Sequence, residues 1–314
     1  MSDLRIVFMG TPDFAVTILD RILGDGYNIV GVITAPDKPA GRGRKLRVSA
    51  VKQFAIEKNL NIMQPTSLKN PDFLNELESL EADIQVVVAF RMLPKVVWSM
   101  PKKGTFNLHA SLLPDYRGAA PIHWAIINGE EKTGVTTFFI DEKIDTGEMI
   151  LKKEIEIDND ETVGDLHDRL MFLGAEAVSE TISLIQKNKV ERIAQPKEET
   201  KLAPKLFPEN CKIRWNENID SIYNHIRGLN PFPAAWTEIQ NGEDIISAKI
   251  YKVRKVKTDH QYIPGVIITA KKELRIAVPG GYILVDEIKL SGKKKMEVSS
   301  LLNGFTFSCD AKML

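Results

Sequence analysis

The sequence is poor in cysteine: its two cysteines, Cys211 and Cys309, lie far apart and form no C-x-x-C pair. This usage predicts neither a disulfide framework nor a zinc site. The chain also lacks an apolar run of membrane-spanning length, and its first residues show no charged segment followed by an apolar one. We therefore expect no signal peptide, no membrane helix and a cytoplasmic location.

Net charge is absent as well, because 42 lysine and arginine residues balance 42 aspartate and glutamate residues in a chain of 314. The overall charge therefore gives no support for nucleic-acid binding. The composition, with 43% hydrophobic and 27% charged residues, is that of an ordinary globular protein. A chain of this length is expected to form about two domains.

The first part of the chain alternates strand-like and helical segments. Residues 4–9 predict a buried strand, residues 13–23 a helix, and residues 27–34 a second strand. This alternation predicts an α/β domain with a parallel sheet covered by helices. The turn at residues 10–12 lacks the G-x-G-x-x-G pattern that lets a backbone approach a pyrophosphate, so NAD or FAD binding is not expected here.

A polar pair stands at the end of a later strand. Residues 104–109 predict a strand, on which Asn107 and His109 project from the same face because side chains alternate. Polar side chains at the carboxyl end of a strand in an open α/β sheet are typical of a catalytic site. The alternative is that both side chains only satisfy hydrogen bonds at the strand end.

Residues 36–52 form a basic insertion with six positive charges and one negative charge, a net charge of +5. Its two prolines and two glycines predict a loop without regular structure. A basic loop on the active-site side of the sheet favours a polyanionic substrate, and a solvated surface loop is the alternative. The positive residues are Lys38, Arg42, Arg44, Lys45, Arg47 and Lys52.

A polar, aperiodic stretch precedes the last third of the chain. We predict a catalytic domain at 1–190, a linker at 191–206 and a second domain at 207–314. Five strand-like segments in the second domain predict a small β-barrel, of OB type among others. This domain has 16 lysine and arginine residues against 12 acidic ones, a net charge of +4. Together with the insertion, that charge fits a nucleic acid lying across both domains, whereas scattered solubilising lysines are the alternative.

Several motifs resemble those of 10-formyltetrahydrofolate-dependent formyltransferases, and the resemblance covers nearly the whole chain. It is strongest, through the basic insertion and the basic second domain, to members that act on a tRNA. It implies a Rossmann-like catalytic domain followed by an OB-like domain that binds tRNA. The motifs are Asn107, His109, Ser111-Leu112-Leu113-Pro114, Arg117-Gly118-Ala119-Ala120-Pro121 and Asp145-Thr146-Gly147.

The resemblance implies transfer of a formyl group from 10-formyltetrahydrofolate to the amino group of methionine on initiator tRNA. The Asn107 amide would donate to the developing oxyanion, and His109 would act as acid and base near neutral pH. Asp141 and Glu142 are rivals of Asp145 for the role of orienting His109, and the match to Asp-Thr-Gly selects Asp145. The chemistry requires neither a metal nor a covalent enzyme intermediate.

The resemblance also assigns the binding residues. Ser111, Leu112, Leu113 and Pro114 match a folate-binding segment, and Phe90 and Leu93 match residues that line the pterin pocket. Arg91 departs from the family, where glycine is common, so its side chain is expected to point outward. In the insertion, Arg42 is the leading expected contact with tRNA, supported by Lys45 and Arg47. Nothing in the sequence indicates an obligate oligomer, and we expect a monomer.

Three other functions compete with this hypothesis. Two are enzymes with the same three catalytic residues: a formyltetrahydrofolate hydrolase-like protein, and a formyltransferase that acts on an aminosugar nucleotide. The third is a non-catalytic tRNA-binding module with a folate-like pocket, against which the complete set of Asn107, His109 and Asp145 argues. The remaining histidines are expected to be structural or surface residues: His123, His167, His225 and His260.

Overall fold

The computed structural model describes residues 4–40, 45–196 and 201–314. The chain forms two compact units, each assembled from several segments of the sequence. The first consists of Met1–Gly118, Gly134–Ile155 and His167–Leu202, and the second of Ala119–Thr133, Glu156–Leu166 and Ala203–Leu314. The domain bounds predicted from the sequence are simple continuous ranges, and they stay a prediction.

The first unit is organised around a seven-stranded sheet. Its strands and the short strands near it are β1 (Arg5–Gly10), β2 (Asn28–Ile33), β3 (Lys38–Ala40), β4 (Lys45–Arg47), β5 (Ile62–Met63), β6 (Ile84–Val88), β7 (Thr105–His109), β8 (Arg117–Gly118), β9 (Lys132–Phe139) and β10 (Met149–Glu156). The order across the sheet is β10-β9-β7-β6-β1-β2-β5. The neighbouring strands β5, β2, β1, β6 and β7 pair parallel to one another. Strand β7 pairs with β9 antiparallel.

Helices connect these strands, and some of them begin at a side-chain N-cap. Their bounds are α1 (Asp13–Gly24), α2 (Ala50–Glu57), α3 (Pro71–Ser79), α4 (Lys95–Trp98), α5 (Pro121–Ile127) and α6 (Val163–Gln186). Ser49 accepts a hydrogen bond from the Lys52 amide at the start of α2, and Asn70 caps α3 in the same way. The whole of β6 is buried, as expected for a parallel strand covered on both faces. The predicted Rossmann-like, parallel-sheet architecture is thereby confirmed.

The basic insertion contains more regular structure than the sequence predicts. Its two short strands, β3 and β4, pair antiparallel, with Lys38 opposite Arg47. The prediction of a loop without regular structure was therefore wrong at these strands, because prolines and glycines do not exclude an isolated two-stranded ladder. At the base of the insertion, the Lys52 ammonium contacts the Asp37 carboxylate at 2.5 Å, and Gln64 donates to the same carboxylate at 2.9 Å.

The second unit holds an antiparallel sheet that curls towards closure. After β11 (Leu202–Ala203), its strands are β12 (Ala235–Asn241), β13 (Asp244–Lys257), β14 (Ile267–Ala270), β15 (Glu273–Val278), β16 (Gly281–Leu290), β17 (Met296–Glu297) and β18 (Lys312–Met313). The order is β14-β15-β16-β13-β12-β18, and a bridge between Val266 and Lys312 joins the two ends. The short helices are α7 (Ile219–Arg227) and α8 (Val298–Leu301). The predicted small barrel is confirmed.

An apolar core fills the barrel unit. Alternate residues of β12 and β13, among them Ile239 and Ile250, are fully buried, as are Ile276 and Ile288 on the neighbouring strands. This alternation is the period-two pattern expected of strands with one face towards a core. Within the described ranges, the chain contains no helix that is both long enough and apolar enough to cross a membrane.

Candidate active site

The site is built on β7, which lies between β6 and β9 in the first unit. Asn107 stands opposite Val87 of β6 and Phe138 of β9, and His109 stands opposite Thr136. The two polar residues share one face of the strand, as their spacing predicts. Asn107 is half-buried, and the described part of the chain offers its side-chain amide no hydrogen-bond partner.

The ring of His109 is held by a backbone carbonyl. Nε2 donates a hydrogen bond of 2.8 Å to the backbone carbonyl oxygen of Tyr116, and Tyr116 has a positive φ of 61°. A carbonyl oxygen only accepts, so the neutral ring carries its proton on Nε2 and leaves the lone pair on Nδ1. His109 is 6% exposed, and this lone pair is therefore presented inside a partly dry site.

Asp145 faces the free ring nitrogen. Its Oδ2 lies 3.7 Å from Nδ1 of His109, and the Asp145 side chain is 14% exposed. The same oxygen accepts a hydrogen bond of 3.1 Å from the Gly118 amide. A distance of 3.7 Å allows ion pairing but is longer than a hydrogen bond. Asp145 also has a positive φ of 56°, a backbone conformation that is uncommon for residues other than glycine.

The two rival carboxylates have other partners. Asp141 accepts hydrogen bonds from the Lys143 amide at 3.0 Å and from the Thr146 hydroxyl at 2.9 Å. Glu142 pairs with Lys95 at 2.7 Å, and the hydrogen bond from this lysine lowers the pKa of Glu142. Asp141 therefore stabilises its own loop and Glu142 forms a surface ion pair, whereas Asp145 lies beside His109.

The loop after His109 is held by hydrogen bonds within the loop and to Thr136 of β9. The Ser111 hydroxyl donates to the Asp115 carbonyl at 2.6 Å. The Thr136 hydroxyl donates to the Ser111 carbonyl at 2.7 Å and accepts from the Leu113 amide at 3.1 Å. The bond between Leu113 and Pro114 is cis. These contacts tie the predicted folate-binding segment to strand β9.

Within that segment, the four residues have different surroundings. Leu113 is fully buried against Phe138 and Met149, and Ser111 is also fully buried. Leu112 and Pro114 are half-buried. The ammonium of Lys152 donates to the Leu113 carbonyl. Ser111 and Leu113 therefore shape the loop, while Leu112 and Pro114 keep accessible surface.

The other predicted pocket residues follow β6. Leu93 is buried in the apolar cluster under this edge of the sheet, and the half-buried Phe90 packs against the same cluster. The exposed Arg91 donates from Nη1 to the Thr66 carbonyl at 3.0 Å and from Nη2 to the Pro65 carbonyl. The prediction that Arg91 points outward agrees with this placement. Its guanidinium joins the end of β6 to the loop after β5.

The predicted tRNA contacts are only partly described. Arg47 is exposed on β4, whereas Arg42 and the side chain of Lys45 lie outside the described residues. In the barrel unit, several of the basic residues are paired with carboxylates. These pairs are Arg254 with Asp286 at 2.9 Å, Lys255 and Lys257 with Asp220 at 2.7 Å each, and Lys295 with Glu287 at 2.8 Å.

The remaining histidines lie elsewhere in the fold. His123 and His260 donate to backbone carbonyls, and His167 lies 3.0 Å from Asp168. His225 lies on α7, where burial lowers its pKa. In the parts of the chain that the structure describes, no group of three or more histidine, cysteine or acidic side chains is arranged to hold a metal ion.

Two groups around the site carry no signal in the local sequence. The Tyr116 carbonyl is a backbone atom, so residue type does not reveal its contact with His109. Gln195 donates to the Asp145 carbonyl at 3.0 Å, although it falls in the stretch predicted to be a linker. Both contacts arise from long-range packing, which a scan for motifs does not detect.

Gly147 makes the closest backbone approach in this loop. A Cβ added there would lie 1.6 Å from the Phe139 carbonyl oxygen, so Gly147→Ala must displace the loop that carries Asp145. We expect kcat to fall by about 10²-fold, because a shift of about 1 Å in a catalytic group has such an effect. Steady-state kinetics of formyl transfer, with thermal unfolding in parallel, tests this.

Gly24→Ala is the matched control for this substitution. Gly24 ends helix α1, and an added Cβ there would meet nothing within 4 Å. This control should keep wild-type kcat, and its stability should be unchanged or slightly higher. Wild-type kcat in Gly147→Ala would show that the loop tolerates displacement.

Comparison with known proteins identifies the class to which this fold and site belong. The sequence model described as "Formyl transferase" matches residues 4–182, and the model described as "Formyl transferase, C-terminal domain" matches residues 205–306. The chain belongs to the formyl transferase family. It is an enzyme of formyl-group transfer, as the sequence predicts.

Relatives at about 50% identity or more over the full length include proteins named methionyl-tRNA formyltransferase. A protein of Flavobacterium johnsoniae named methionyl-tRNA formyltransferase is 56% identical over 314 residues, covering 100% of both chains. A protein of the same name from Bacteroides thetaiotaomicron is 50% identical over 318 residues, covering 99% of both. The predicted relationship to methionyl-tRNA formyltransferases is confirmed.

Solved structures show the same fold at lower identity. An N-formyltransferase from Helicobacter canadensis, in complex with folinic acid and dTDP-3-aminofucose, has a TM-score of 0.68 and 22% identity, with 93% of this chain and 100% of that chain covered. HypX from Aquifex aeolicus, in complex with tetrahydrofolic acid, has a TM-score of 0.65 and 15% identity, with 96% of this chain and 47% of that chain covered. These likenesses support the architecture alone.

Proposed function

We propose that this protein transfers the formyl group of 10-formyltetrahydrofolate to the amino group of methionine on initiator tRNA. The observation that carries the proposal is the placement of three side chains. Asn107 and His109 project from one face of β7, and Asp145 lies 3.7 Å from the ring of His109. An amide, an imidazole and a carboxylate are the groups that transfer of a formyl group between two nitrogens needs.

The half-buried Asn107 amide supplies a donor for the formyl oxygen. Bound 10-formyltetrahydrofolate supplies the formyl carbon that the amine attacks. Negative charge then develops on the formyl oxygen, and the Asn107 amide stabilises it by a hydrogen bond. The described residues leave this amide without a protein partner, so it is available to the substrate without breaking an internal hydrogen bond.

His109 moves the proton. Its Nδ1 lone pair accepts the proton that the attacking amine loses as the new C–N bond forms. The same nitrogen returns the proton to the folate nitrogen as the old C–N bond breaks, so His109 ends unchanged. The Nε2 hydrogen bond to the Tyr116 carbonyl keeps this tautomer and the ring orientation.

Asp145 stabilises the intermediate cation of His109 through its charge. The Oδ2–Nδ1 distance of 3.7 Å favours a charge interaction over a direct hydrogen bond in the resting site. Both groups are largely buried, where an interaction between charges is screened less than at the surface. The role of Asp145 in orienting the ring stays a prediction, since the Tyr116 carbonyl already holds the other nitrogen.

Basic residues on both units support a tRNA as the second substrate. In the insertion, Arg47 is exposed, and Arg42 and Lys45 add positive charge to the same segment. In the barrel unit, Lys252 and Lys294 are also exposed. Such residues contribute mainly through phosphate contacts, which are strongly dependent on salt. The cytoplasmic location and the monomeric state stay predictions.

Arg42→Ala is expected to weaken the use of tRNA and leave folate binding intact. Loss of one phosphate contact should raise the KM for charged tRNA and reduce the slope of log KM against log salt by about one. Lys69→Ala, which removes an exposed charge outside the insertion, is the control and should leave both values unchanged. An equal loss of folate affinity would count against a role of Arg42 in tRNA binding.

The function itself is tested by offering several acceptors to one formyl donor. With 10-formyltetrahydrofolate, formyl transfer is measured to methionine-charged initiator tRNA, to charged elongator tRNA, to a dTDP-aminosugar and to water. A strong preference for the charged initiator supports the proposal. Turnover on the aminosugar or on water alone would move the protein to another branch of the family, and binding of tRNA without turnover would indicate a non-catalytic module.

A further inference from the structure

The segment predicted as a linker passes through the active-site region of the first unit. Ile193 pairs with Met149 of β10 through two backbone hydrogen bonds of 2.8 and 3.0 Å. Two residues later, the amide of Gln195 donates to the Asp145 carbonyl at 3.0 Å and to the Gly147 carbonyl at 2.8 Å. Gln195 thus binds the backbone carbonyls on both sides of Thr146.

The other end of the Gln195 amide is held by Arg117. Its Oε1 accepts hydrogen bonds from Nε of Arg117 at 3.1 Å and from Nη2 at 2.7 Å. Arginine only donates and carbonyl oxygens only accept, so the orientation of this amide is unambiguous. Arg117 is 6% exposed, and its charge-assisted hydrogen bonds therefore form in a protected environment.

The backbone conformation of this loop requires such a restraint. Asp145 has a positive φ of 56°, and this conformation persists in residues other than glycine only where the surroundings impose it. A loop free to relax would change the direction of the Asp145 carboxylate and hence its 3.7 Å distance to His109. Gln195 acts on the backbone carbonyl of Asp145 and leaves the carboxylate facing the ring.

We infer that Gln195, held by Arg117, is a positioning residue that keeps the Asp145 carboxylate beside His109 during formyl transfer. The inference rests on the proposed catalytic role of these two residues. It gives the stretch after α6 a function in the reaction, in addition to its place in the chain between the two units.

Gln195→Glu tests the inference with almost no change in size. The carboxylate still accepts from Arg117 but cannot donate to the two loop carbonyls. We expect kcat for formyl transfer to fall by about 10- to 100-fold, with the KM for folate and tRNA changed by less than about threefold. Gln195→Met, which removes the polar contacts without adding charge, should show the same division between kcat and KM.

A matched control introduces the same chemical change elsewhere. Gln186→Glu alters an exposed residue at the end of α6 and should leave kcat unchanged. Thermal unfolding of each variant, measured alone and with folate, reports whether the fold is kept. If one Gln195 variant fails to fold, the other carries the test.

The decisive measurement is a double-mutant cycle with Asp145→Asn. If Gln195 acts only through Asp145, Gln195→Glu will cost less than about threefold when Asp145 is already replaced. Equal costs in both backgrounds would overturn the inference and leave Gln195 a structural residue. Wild-type activity, measured in parallel, separates this outcome from failure of the proposed function, which would show as no transfer to charged tRNA by the wild-type protein.

Discussion

His109→Ala is expected to lower kcat for formyl transfer by about 10²–10⁴-fold, the usual contribution of a positioned acid–base group. The ring is the proton carrier in the proposed reaction, and in the described structure its Nδ1 faces only one charged partner, Asp145. Removal of the ring should leave folate and tRNA binding nearly unchanged, since Asn107 and the folate-binding segment stay in place. Pre-steady-state transfer, combined with equilibrium binding of both substrates, measures the two effects separately.

The control for this experiment is another histidine of the first unit. His167→Ala removes a partly exposed ring on α6 that pairs with Asp168 and lies against Phe14. It should keep kcat within about twofold, as expected for a surface residue with no part in the chemistry. Wild-type kcat in the His109→Ala variant would contradict the proposed mechanism. Loss of folate binding in this variant would instead indicate that His109 belongs to the binding pocket.

Asn107→Asp should lower kcat by about 10²–10³-fold, the typical cost of losing one oxyanion donor. The substitution keeps the shape of the side chain but replaces its donor by a carboxylate, which also repels developing negative charge. Asn107→Ala should show a loss of similar order without an added charge. Single-turnover transfer with saturating substrates is the measurement, because the defect is expected in the chemical step.

Stability gives an independent check on the Asn107 variants. The Asn107 amide has no hydrogen-bond partner within the described residues, so Asn107→Ala should leave no buried protein group unsatisfied and should unfold near the wild-type temperature. Asn75→Ala, on the exposed face of α3, is the matched control and should leave kcat unchanged. A large loss of stability with normal single-turnover rates would make Asn107 a structural residue.

The fold could be predicted in large part because its signals are local. Continuous apolar runs and short helices between them predict a covered parallel sheet, and the alternation in residues 235–290 predicts barrel strands. The same local period places Asn107 and His109 on one face of β7. The insertion was the exception, since a two-stranded ladder there depends on pairing between residues that are apart in the chain, such as Lys38 and Arg47.

Three carboxylates, Asp141, Glu142 and Asp145, lie within five residues, and their local sequence does not rank them. The resemblance to the family selects Asp145, and the structure places it beside His109 while the other two contact different groups. Ranking them needs the path of the loop in space. That path depends on Gly147, whose missing side chain lets the loop approach the Phe139 carbonyl.

By itself, the sequence determined the alternation of strands and helices that opens the first domain, the shared face of Asn107 and His109, and membership of a formyltransferase family, because period and motif are written along the chain. Tertiary structure alone decided which nitrogen of His109 is free, through a carbonyl seven residues away. It also decided that Gln195 reaches Arg117, 78 residues distant, and the Asp145 loop. Hydrogen bonds of this kind join backbone atoms and remote side chains, and only the folded chain brings such groups within hydrogen-bonding distance of one another.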